Sequence, residues 1–236
     1  MNSGRLRGFD LPLSTNQVVS WVGNALATGG FYVLCGLMLL VTSAGCRKTL
    51  VAILVLVHLG LVVGGFSCWI FLETHVPMVE SCFGRMLPDS DRWTKVRYCR
   101  EHKDVVAGLD HFCTWLNTSI GRSNYIPFYL VALFGSLQYS LHVAVLGYVL
   151  FACGRQDLTI AFLILCSICG FIGLLILIAY GALLSFHTYL TWRGIGTYDW
   201  ILQQREIELT TEASHERVLP TTSQVLPATS QVLPAT

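Results

Sequence analysis

Charged residues are scarce in this sequence. Asp, Glu, Lys and Arg make up 12% of the 236 residues, whereas hydrophobic residues make up 53%. A composition this apolar argues against a soluble domain and predicts an integral membrane protein. The formal net charge is only +1, so the chain lacks the basic surplus typical of nucleic-acid-binding proteins, and we expect no nucleic-acid partner.

Cysteines paired at framework spacings are also lacking. Nine cysteines are present, but they are scattered along the chain. Most of them lie in apolar segments, where a cysteine usually behaves as a small hydrophobic residue. This pattern argues against a disulfide scaffold.

Long apolar runs, in contrast, are abundant. Four windows are long enough to cross a bilayer, which requires about 20 largely apolar residues in a helix. None has the polar stripe that a helix of a soluble bundle presents to water. The windows run from Gln17 to Thr42, Leu50 to Leu72, Pro127 to Cys153 and Leu158 to Tyr189. The predicted fold is therefore an all-α integral membrane protein, with four transmembrane helices and a central loop between the second and the third.

These windows divide the chain into five parts. They are an N-terminal arm (1–16), a first transmembrane hairpin (17–72), the central loop (73–126), a second transmembrane hairpin (127–190) and a tail (191–236). The tail ends in a seven-residue repeat whose units begin at Val218, Val225 and Val232. Each full unit contains proline, which is incompatible with a coiled coil, and we expect the repeat to be disordered.

Lysine and arginine are distributed unevenly outside the predicted spans. Most lie in the arm, the central loop and the tail, against Arg47, Lys48 and Arg155 in the two short links within the hairpins. Because cytoplasmic segments carry the excess of positive residues, both termini and the central loop are expected to be cytoplasmic. Thiols in that compartment stay reduced. The expected location is the endoplasmic reticulum, the Golgi apparatus or the plasma membrane.

The central loop places a carboxylate, an imidazole and a thiol within four residues, at Asp110, His111 and Cys113. A thiol becomes a strong nucleophile when it is ionised, and a neighbouring imidazole can take its proton. A carboxylate can orient that imidazole and stabilise its charged form. The pattern predicts Cys113 as nucleophile, His111 as general base and Asp110 as the orienting group. So short a pattern also arises by chance in surface loops.

The longer string around these residues resembles the signature of the DHHC protein S-acyltransferases, or palmitoyltransferases. It departs from that signature at Phe112, Thr118 and Ser119 and matches at Asp110, His111, Cys113, Trp115, Asn117, Ile120, Gly121 and Asn124. The resemblance implies a membrane enzyme that takes an acyl chain from palmitoyl-CoA or another long-chain acyl-CoA. It implies further that the acyl chain forms a thioester with Cys113 and then passes to cysteines of substrate proteins.

Flanking segments extend this resemblance from about Arg7 to Gln203. After the fourth span, residues 196–199 read Gly-Thr-Tyr-Asp and are similar to the family's Thr-Thr-x-Glu motif, which packs against the catalytic loop. The Asp-Pro-Gly element expected after the second span is missing, and residues 73–77 stand in its place. The resemblance implies supporting roles for Asn117, Gly121, Asn124, Thr197 and Asp199.

Most of the zinc ligands that this resemblance implies are missing. In the family, two structural zinc ions are each held by three cysteines and one histidine. An ungapped alignment from Asp110 places six residues at the family's ligand positions, namely Tyr98, Cys99, His102, Val105, Phe112 and Ser119. Cys82 and Arg85 are a weak match to the family's first Cys-x-x-Cys pair. Only Cys82, Cys99 and His102 are residual metal candidates, and neither site has the four ligands that structural zinc requires. We expect no bound zinc, and we expect the apolar replacements to pack instead.

Two interpretations of this departure stay open at the level of sequence. One is an active acyltransferase whose catalytic loop is held without zinc. The other is an inactive DHHC-like membrane scaffold, a pseudoenzyme that binds partner proteins. The presence of Asp110, His111 and Cys113 beside the lost zinc ligands favours the enzyme.

Overall fold

The computed structural model describes residues 6–40, 46–153 and 159–218. Four of its helices are long and apolar enough to cross a membrane, which confirms the predicted class of a four-span, mainly helical membrane protein. The predicted spans differ from these helices by at most four residues at either end. In chain order the elements are α1 (Thr15–Leu40), α2 (Lys48–Thr74), α3 (Cys82–Arg85), α4 (Asp91–Thr94), β1 (Val96–Cys99), β2 (Asp104–Ala107), β3 (His111–Cys113), β4 (Thr118–Ile120), α5 (Tyr125–Ala152), α6 (Ile160–Arg193) and α7 (Thr197–Val218).

Helix α5 is the centre of the membrane bundle. It packs against both α2 and α6, and α1 contacts α2 and α6. Half of its apolar span is buried, more than in the other three spans. Because lipid provides no hydrophobic drive between helices, close packing and interhelical hydrogen bonds hold such a bundle together. Polar pairs of this kind join α1 to α2 through Tyr32 and His58, and α1 to α5 through Asn24 and Tyr139.

A disulfide bond between Cys46 and Cys153 joins the two transmembrane hairpins. The two Cα atoms lie 4.6 Å apart, within the range that a disulfide bridges. Cys46 precedes α2, whose 27 residues span about 40 Å, so the bond lies at the end of α2 opposite to the central loop. Sequence analysis gave no sign of this single bond, because its cysteines are 107 residues apart and share no motif.

Two short antiparallel hairpins order the central loop, and the all-α prediction does not include them. Strands β1 and β2 pair Tyr98 with Val105, and strands β3 and β4 pair Phe112 with Ser119. Each strand has three or four residues, too few for an alternating apolar pattern to separate it from a turn. The loop therefore carries β structure of its own on an otherwise helical protein.

The C-terminal part of the chain, from Asp199 onward, is a separate compact unit. Helix α7 continues in it to Val218, beyond Arg205, where the composition of the tail changes. The helix forms because residues 197–218 contain neither glycine nor proline and include several glutamates and glutamines, which are good helix formers. The predicted disorder of the repeat concerns residues that, after Val218, lie outside the described ranges.

Candidate functional site

Strand β3 brings the predicted nucleophile and base to the same side of the loop. Successive side chains of a strand point to opposite faces, so residues two apart share a face. His111 and Cys113 are two apart in β3, and the neighbouring Cys113 raises the pKa of His111. Phe112, between them, points to the other face. The pattern Asp-His-x-Cys thus puts imidazole and thiol in contact because the segment is extended.

Asp110 precedes β3 and is almost completely buried, with 1% of its surface exposed. Its carboxylate accepts a hydrogen bond of 2.9 Å from Nδ1 of His111. It also accepts bonds from the backbone N–H and the hydroxyl of Thr197, at 3.0 and 2.6 Å, and Arg92 approaches it to 3.4 Å. The structure therefore places Thr197 against the catalytic loop. Asp199 lies in the first turn of α7, and its supporting role stays a prediction.

The two acid–base groups shift each other's protonation in opposite directions. Burial would raise the pKa of Asp110, but hydrogen bonds from His111 and Thr197 and the charge on His111 lower the pKa to about 2. Burial would lower the pKa of His111, but hydrogen bonds to Asp110 and Cys113, and the charges of both, raise the pKa to about 9. At neutral pH the site therefore holds an ionised Asp110 and a protonated His111, and an imidazolium stabilises an adjacent thiolate.

Two further residues complete the site, and sequence analysis missed both. His187, in α6, has its ring centroid 5.6 Å from that of His111, and its Nδ1 lies 3.3 Å from the Tyr125 hydroxyl. Arg92 lies over the rings of Trp93 and Tyr125, 4.2 and 4.7 Å from their centroids. An ionisable residue within a predicted span is the signal that identifies His187. Arg92 has no comparable signal among the many basic residues of the loop.

Asn117, Gly121 and Asn124 shape the β3–β4 hairpin. Asn117 adopts a positive φ of 54°, which asparagine tolerates better than most residues, and it donates a 3.0 Å bond to the carbonyl of Gly8 in the N-terminal arm. Asn124 accepts from the N–H of Gly121 and donates to the carbonyl of Ser119, both at 2.9 Å. A Cβ on Gly121 would lie 2.8 Å from a side-chain carbon of β2. These residues position the hairpin rather than react.

Four of the aligned zinc positions converge in the structure, but their side chains do not fit a structural zinc ion. The thiol of Cys99 lies 3.0 Å from the hydroxyl of Ser119, and the N–H of Ser119 donates to Nε2 of His102 at 3.1 Å. The ring of Phe112 stands edge-on to that of His102, with centroids 6.0 Å apart. A hydroxyl and a phenyl ring therefore replace two of the four ligands that such a site needs. The expected exchange of coordination for packing is seen at Phe112.

The other aligned positions are exposed, so the expectation that apolar replacements pack is wrong for them. Tyr98 and Val105 are 64% and 50% exposed, although they face each other across the β1–β2 hairpin. Cys82 and Arg85, in α3, are exposed as well. A cross-strand aromatic and β-branched pair stabilises the exposed face of a hairpin. The opposite face of this hairpin packs into a buried apolar cluster.

Restoring the two lost ligands is expected to create a zinc site in the loop. In Phe112→His combined with Ser119→Cys, two imidazoles and two thiols would surround one position, because Cys99 and His102 already converge there. We expect the double variant to retain about one zinc ion per chain more than wild type after dialysis, measured by elemental analysis. A chelator should then lower its unfolding temperature, since the binding free energy of a structural zinc is folding free energy.

The single variant Phe112→His, with three ligands, is the matched control for this prediction and should retain less zinc. A double variant whose zinc content and chelator response equal those of wild type would contradict the convergence of the four positions.

A cavity of about 370 Å³ lies between the spans. Its walls are mostly apolar and include Trp69, Val131 and Tyr180. These three residues and Cys113 belong to one packed apolar cluster, although Cys113 itself does not line the cavity. An apolar cavity of this kind suits the tail of an amphipathic substrate.

Comparison with known proteins associates the chain with one family. The family profile described as DHHC palmitoyltransferase matches residues 89–204. This range contains all four strands, α5, α6 and Thr197. No curated protein sequence matches the chain.

Proposed function

Because this chain belongs to the DHHC palmitoyltransferase family, we propose that it is a protein-cysteine S-palmitoyltransferase. It takes a long acyl chain from palmitoyl-CoA or another long-chain acyl-CoA and passes it through a thioester on Cys113 to cysteines of substrate proteins. The observation that carries this proposal is the hydrogen-bond chain from Thr197 through Asp110 to His111, whose imidazole shares a strand face with the Cys113 thiol.

In the first half-reaction, the Cys113 thiolate attacks the thioester carbon of the acyl-CoA. The bond between that carbon and the CoA sulfur breaks, and the leaving CoA thiolate takes the proton that His111 holds. Asp110 keeps the imidazole oriented through its 2.9 Å bond to Nδ1, so the other ring nitrogen faces the sulfur. His111 therefore begins this step as an acid, whereas the sequence pattern suggested a base.

In the second half-reaction, a substrate thiol attacks the acyl group on Cys113. Neutral His111 accepts the proton of that thiol, and Cys113 leaves as a thiolate beside the regenerated imidazolium. One imidazole thus serves as acid and then as base. The acyl tail occupies the apolar cavity between the spans, some of whose lining residues pack in the same apolar cluster as Cys113.

The alternative is a catalytically inactive DHHC-like scaffold that binds partner proteins. The loss of zinc ligands at Phe112 and Ser119 favours it. Hydrogen bonds among Cys99, His102 and Ser119 take the place of zinc coordination and hold the face of the hairpin opposite to Cys113. This replacement favours the enzyme. The loop is thus braced without metal.

Transfer to a second thiol separates the two functions. Membranes that contain the protein, a membrane-anchored cysteine peptide and an alkyne-tagged long-chain acyl-CoA should produce a labelled peptide, and hydroxylamine should remove the label. Cys113→Ala should abolish this transfer, whereas Cys82→Ala, which changes an exposed cysteine of the same loop, should retain it. Equal labelling with wild type and Cys113→Ala would support the scaffold.

The loading rate of Cys113 is expected to fall as the pH rises through about 9, where His111 loses its proton. Because the pKa of His111 is raised in the folded protein, the imidazole is fully protonated below its ordinary pKa and loses its proton only as the pH rises through the raised pKa. Asp110→Asn removes a charge that raises this pKa, so the fall of the loading rate at high pH, the alkaline limb of the profile, should move toward about pH 6.5. Initial loading rates measured across the pH range locate this limb.

The control for this pH profile is Asp89→Asn, which neutralises an exposed carboxylate of the same loop. It should leave the alkaline limb in place. An Asp110→Asn protein with the limb of wild type would contradict the coupling of Asp110 to His111.

Both termini and the central loop face the cytoplasm in this proposal, in the endoplasmic reticulum, the Golgi apparatus or the plasma membrane. The lysine and arginine distribution supports this orientation. The Cys46–Cys153 bond supports it independently, because disulfides persist in oxidising compartments and are rare in the cytosol. With the disulfide on the lumenal or extracellular side, Cys113 lies on the reducing side.

The orientation predicts which cysteines can be labelled from which side of the membrane. Cys153→Ser frees its partner, so Cys46, which is partly exposed, should react with a membrane-impermeant maleimide applied from the lumenal or extracellular side. In wild type the same reaction should need a reductant first. Cys82, in the central loop, is the matched control and should react from the cytoplasmic side. Reaction of Cys46 from the cytoplasmic side would invert the proposed topology.

A further inference from the structure

His187 gives the active site a second imidazole that the acyl-transfer steps do not use. One oxygen of Asp110 and one ring nitrogen each of His111 and His187 lie within 4.8 Å of one another. Cys113 lies beside this group, on the same strand face as His111. Asp110 and His187 are buried, at 1% and 2% exposure. The site therefore combines a carboxylate, two imidazoles and a thiol in a shielded position.

This set of side chains matches the ligands of a divalent transition metal. Zinc binds cysteine sulfur, histidine nitrogen and carboxylate oxygen, usually with four ligands at tetrahedral positions. Neighbouring ligand atoms of such a site are about 3.4 Å apart, so a contraction of at most about 1.4 Å would close the carboxylate and the two imidazoles around an ion, and Cys113, beside His111, offers the fourth ligand. Calcium and magnesium prefer oxygen ligands alone. The chemistry of the cluster thus selects a softer ion such as zinc.

The groups are also held from behind, as metal ligands usually are. Thr197 donates two hydrogen bonds to Asp110, and the Tyr125 hydroxyl lies 3.3 Å from Nδ1 of His187, leaving Nε2 for another partner. Such outer contacts fix the ring orientation of ligating histidines. Arg92, 3.4 Å from Asp110, opposes a cation, and a thiolate at Cys113 offsets that charge. This balance favours reversible binding over a permanent structural ion.

We propose that Cys113, His111 and His187, with Asp110 as a ligand or as the partner of His111, bind one zinc ion that reversibly blocks the nucleophile. The block rests on the proposed acyltransferase function, whereas metal binding itself does not. On binding, the proton held by His111 is released to solvent, and the Cys113 thiolate and the freed ring nitrogen each form a bond to the metal. The sulfur lone pair and the imidazole are then both engaged, so neither can react with an acyl donor. Releasing the ion restores both groups.

Cobalt binding to the purified full-length protein tests the site without any need for activity. Metal-free protein titrated with Co²⁺ should bind one ion per chain with a sulfur-to-cobalt absorption band, and Zn²⁺ should displace it. Cys113→Ala should lose the band, and His187→Ala should weaken binding at least tenfold. Tyr125→Phe, which removes only the outer contact, should weaken it by about 10- to 100-fold at most.

Two control variants locate the ion. His75→Ala removes a histidine outside the cluster, and Cys99→Ser removes a residual candidate of the lost zinc sites; both should bind Co²⁺ as wild type does. Loss of binding in Cys99→Ser with retention in His187→Ala would overturn the proposal, because the ion would then belong to the loop remnant. Equal binding by all variants would mean an adventitious ion only, and would overturn it as well.

Acyl loading of Cys113 tests whether the bound ion blocks the nucleophile. Zn²⁺ should stop thioester formation on Cys113 and a chelator should restore it, whereas loading of His187→Ala, relative to its own zinc-free rate, should need at least tenfold more Zn²⁺ to stop. A protein that forms the thioester but binds no metal at this cluster refutes the inference and leaves the acyltransferase intact. A protein that binds cobalt as described but never loads keeps the metal site and refutes the proposed function.

Discussion

His111→Ala is expected to slow the acyl loading of Cys113 by about 10² to 10⁴, the usual value of positioned acid–base catalysis. The variant loses the proton donor for the leaving CoA and the positive charge that stabilises the Cys113 thiolate. It also removes the link between Asp110 and the thiol. Single-turnover loading of purified protein measures the rate, and transfer to a substrate thiol should slow as well because the same imidazole accepts that proton.

The control for His111→Ala is His75→Ala, since His75 lies outside the active site and bonds to the backbone carbonyl of Val79. It should load at the wild-type rate. If His111→Ala also loads within a factor of about 10 of wild type, its imidazole has no general acid–base role.

Asp110→Ala is expected to destabilise the protein by about 3 to 5 kcal/mol, the usual cost of removing one partner from a buried charged pair. The carboxylate is 1% exposed and the Arg92 side chain 6%, so the guanidinium cannot exchange the lost contact for water. The N–H and hydroxyl of Thr197 lose their acceptor as well. The unfolding temperature in detergent should fall on the order of 10 °C.

Asp89→Ala is the matched control for this stability prediction. Asp89 also pairs with an arginine of the central loop, Arg122, at 2.6 Å, but its side chain is 82% exposed. An exposed pair of this kind contributes at most about 1 kcal/mol, so the unfolding temperature should change little. If both alanine variants unfold alike, Asp110 does not hold the buried network together.

The spans could be predicted, and the proposed catalytic groups identified, from sequence because their signals are local. Each span is a continuous apolar run, and its helix satisfies its own backbone in lipid. His111 and Cys113 are neighbours on one strand face, so their spacing alone brings base and nucleophile together. Thr197 is different, because only the resemblance to a family motif suggested its place beside Asp110, 87 residues away.

The remaining features depend on contacts that no local pattern encodes. His187 reaches His111 through the packing of α6 against α5, and Cys46 meets Cys153 across two hairpins. At the aligned zinc positions, the prediction that apolar replacements pack is right for one residue and wrong for another. Phe112 packs as predicted, whereas Tyr98 lies on the outer face of a hairpin, because a three- or four-residue strand gives no sequence signal for its buried face.

The central claim is that Cys113 carries the acyl chain, and intact-mass spectrometry tests it most directly. Purified protein incubated with palmitoyl-CoA should gain the mass of one acyl group, localised to Cys113 by peptide mapping and released by neutral hydroxylamine. Cys113→Ala should gain none, while Cys82→Ala, which lacks another exposed thiol of the same loop, should gain one. Wild-type protein that acquires no thioester in membranes or in detergent, with either palmitoyl-CoA or other long-chain donors, would contradict the account.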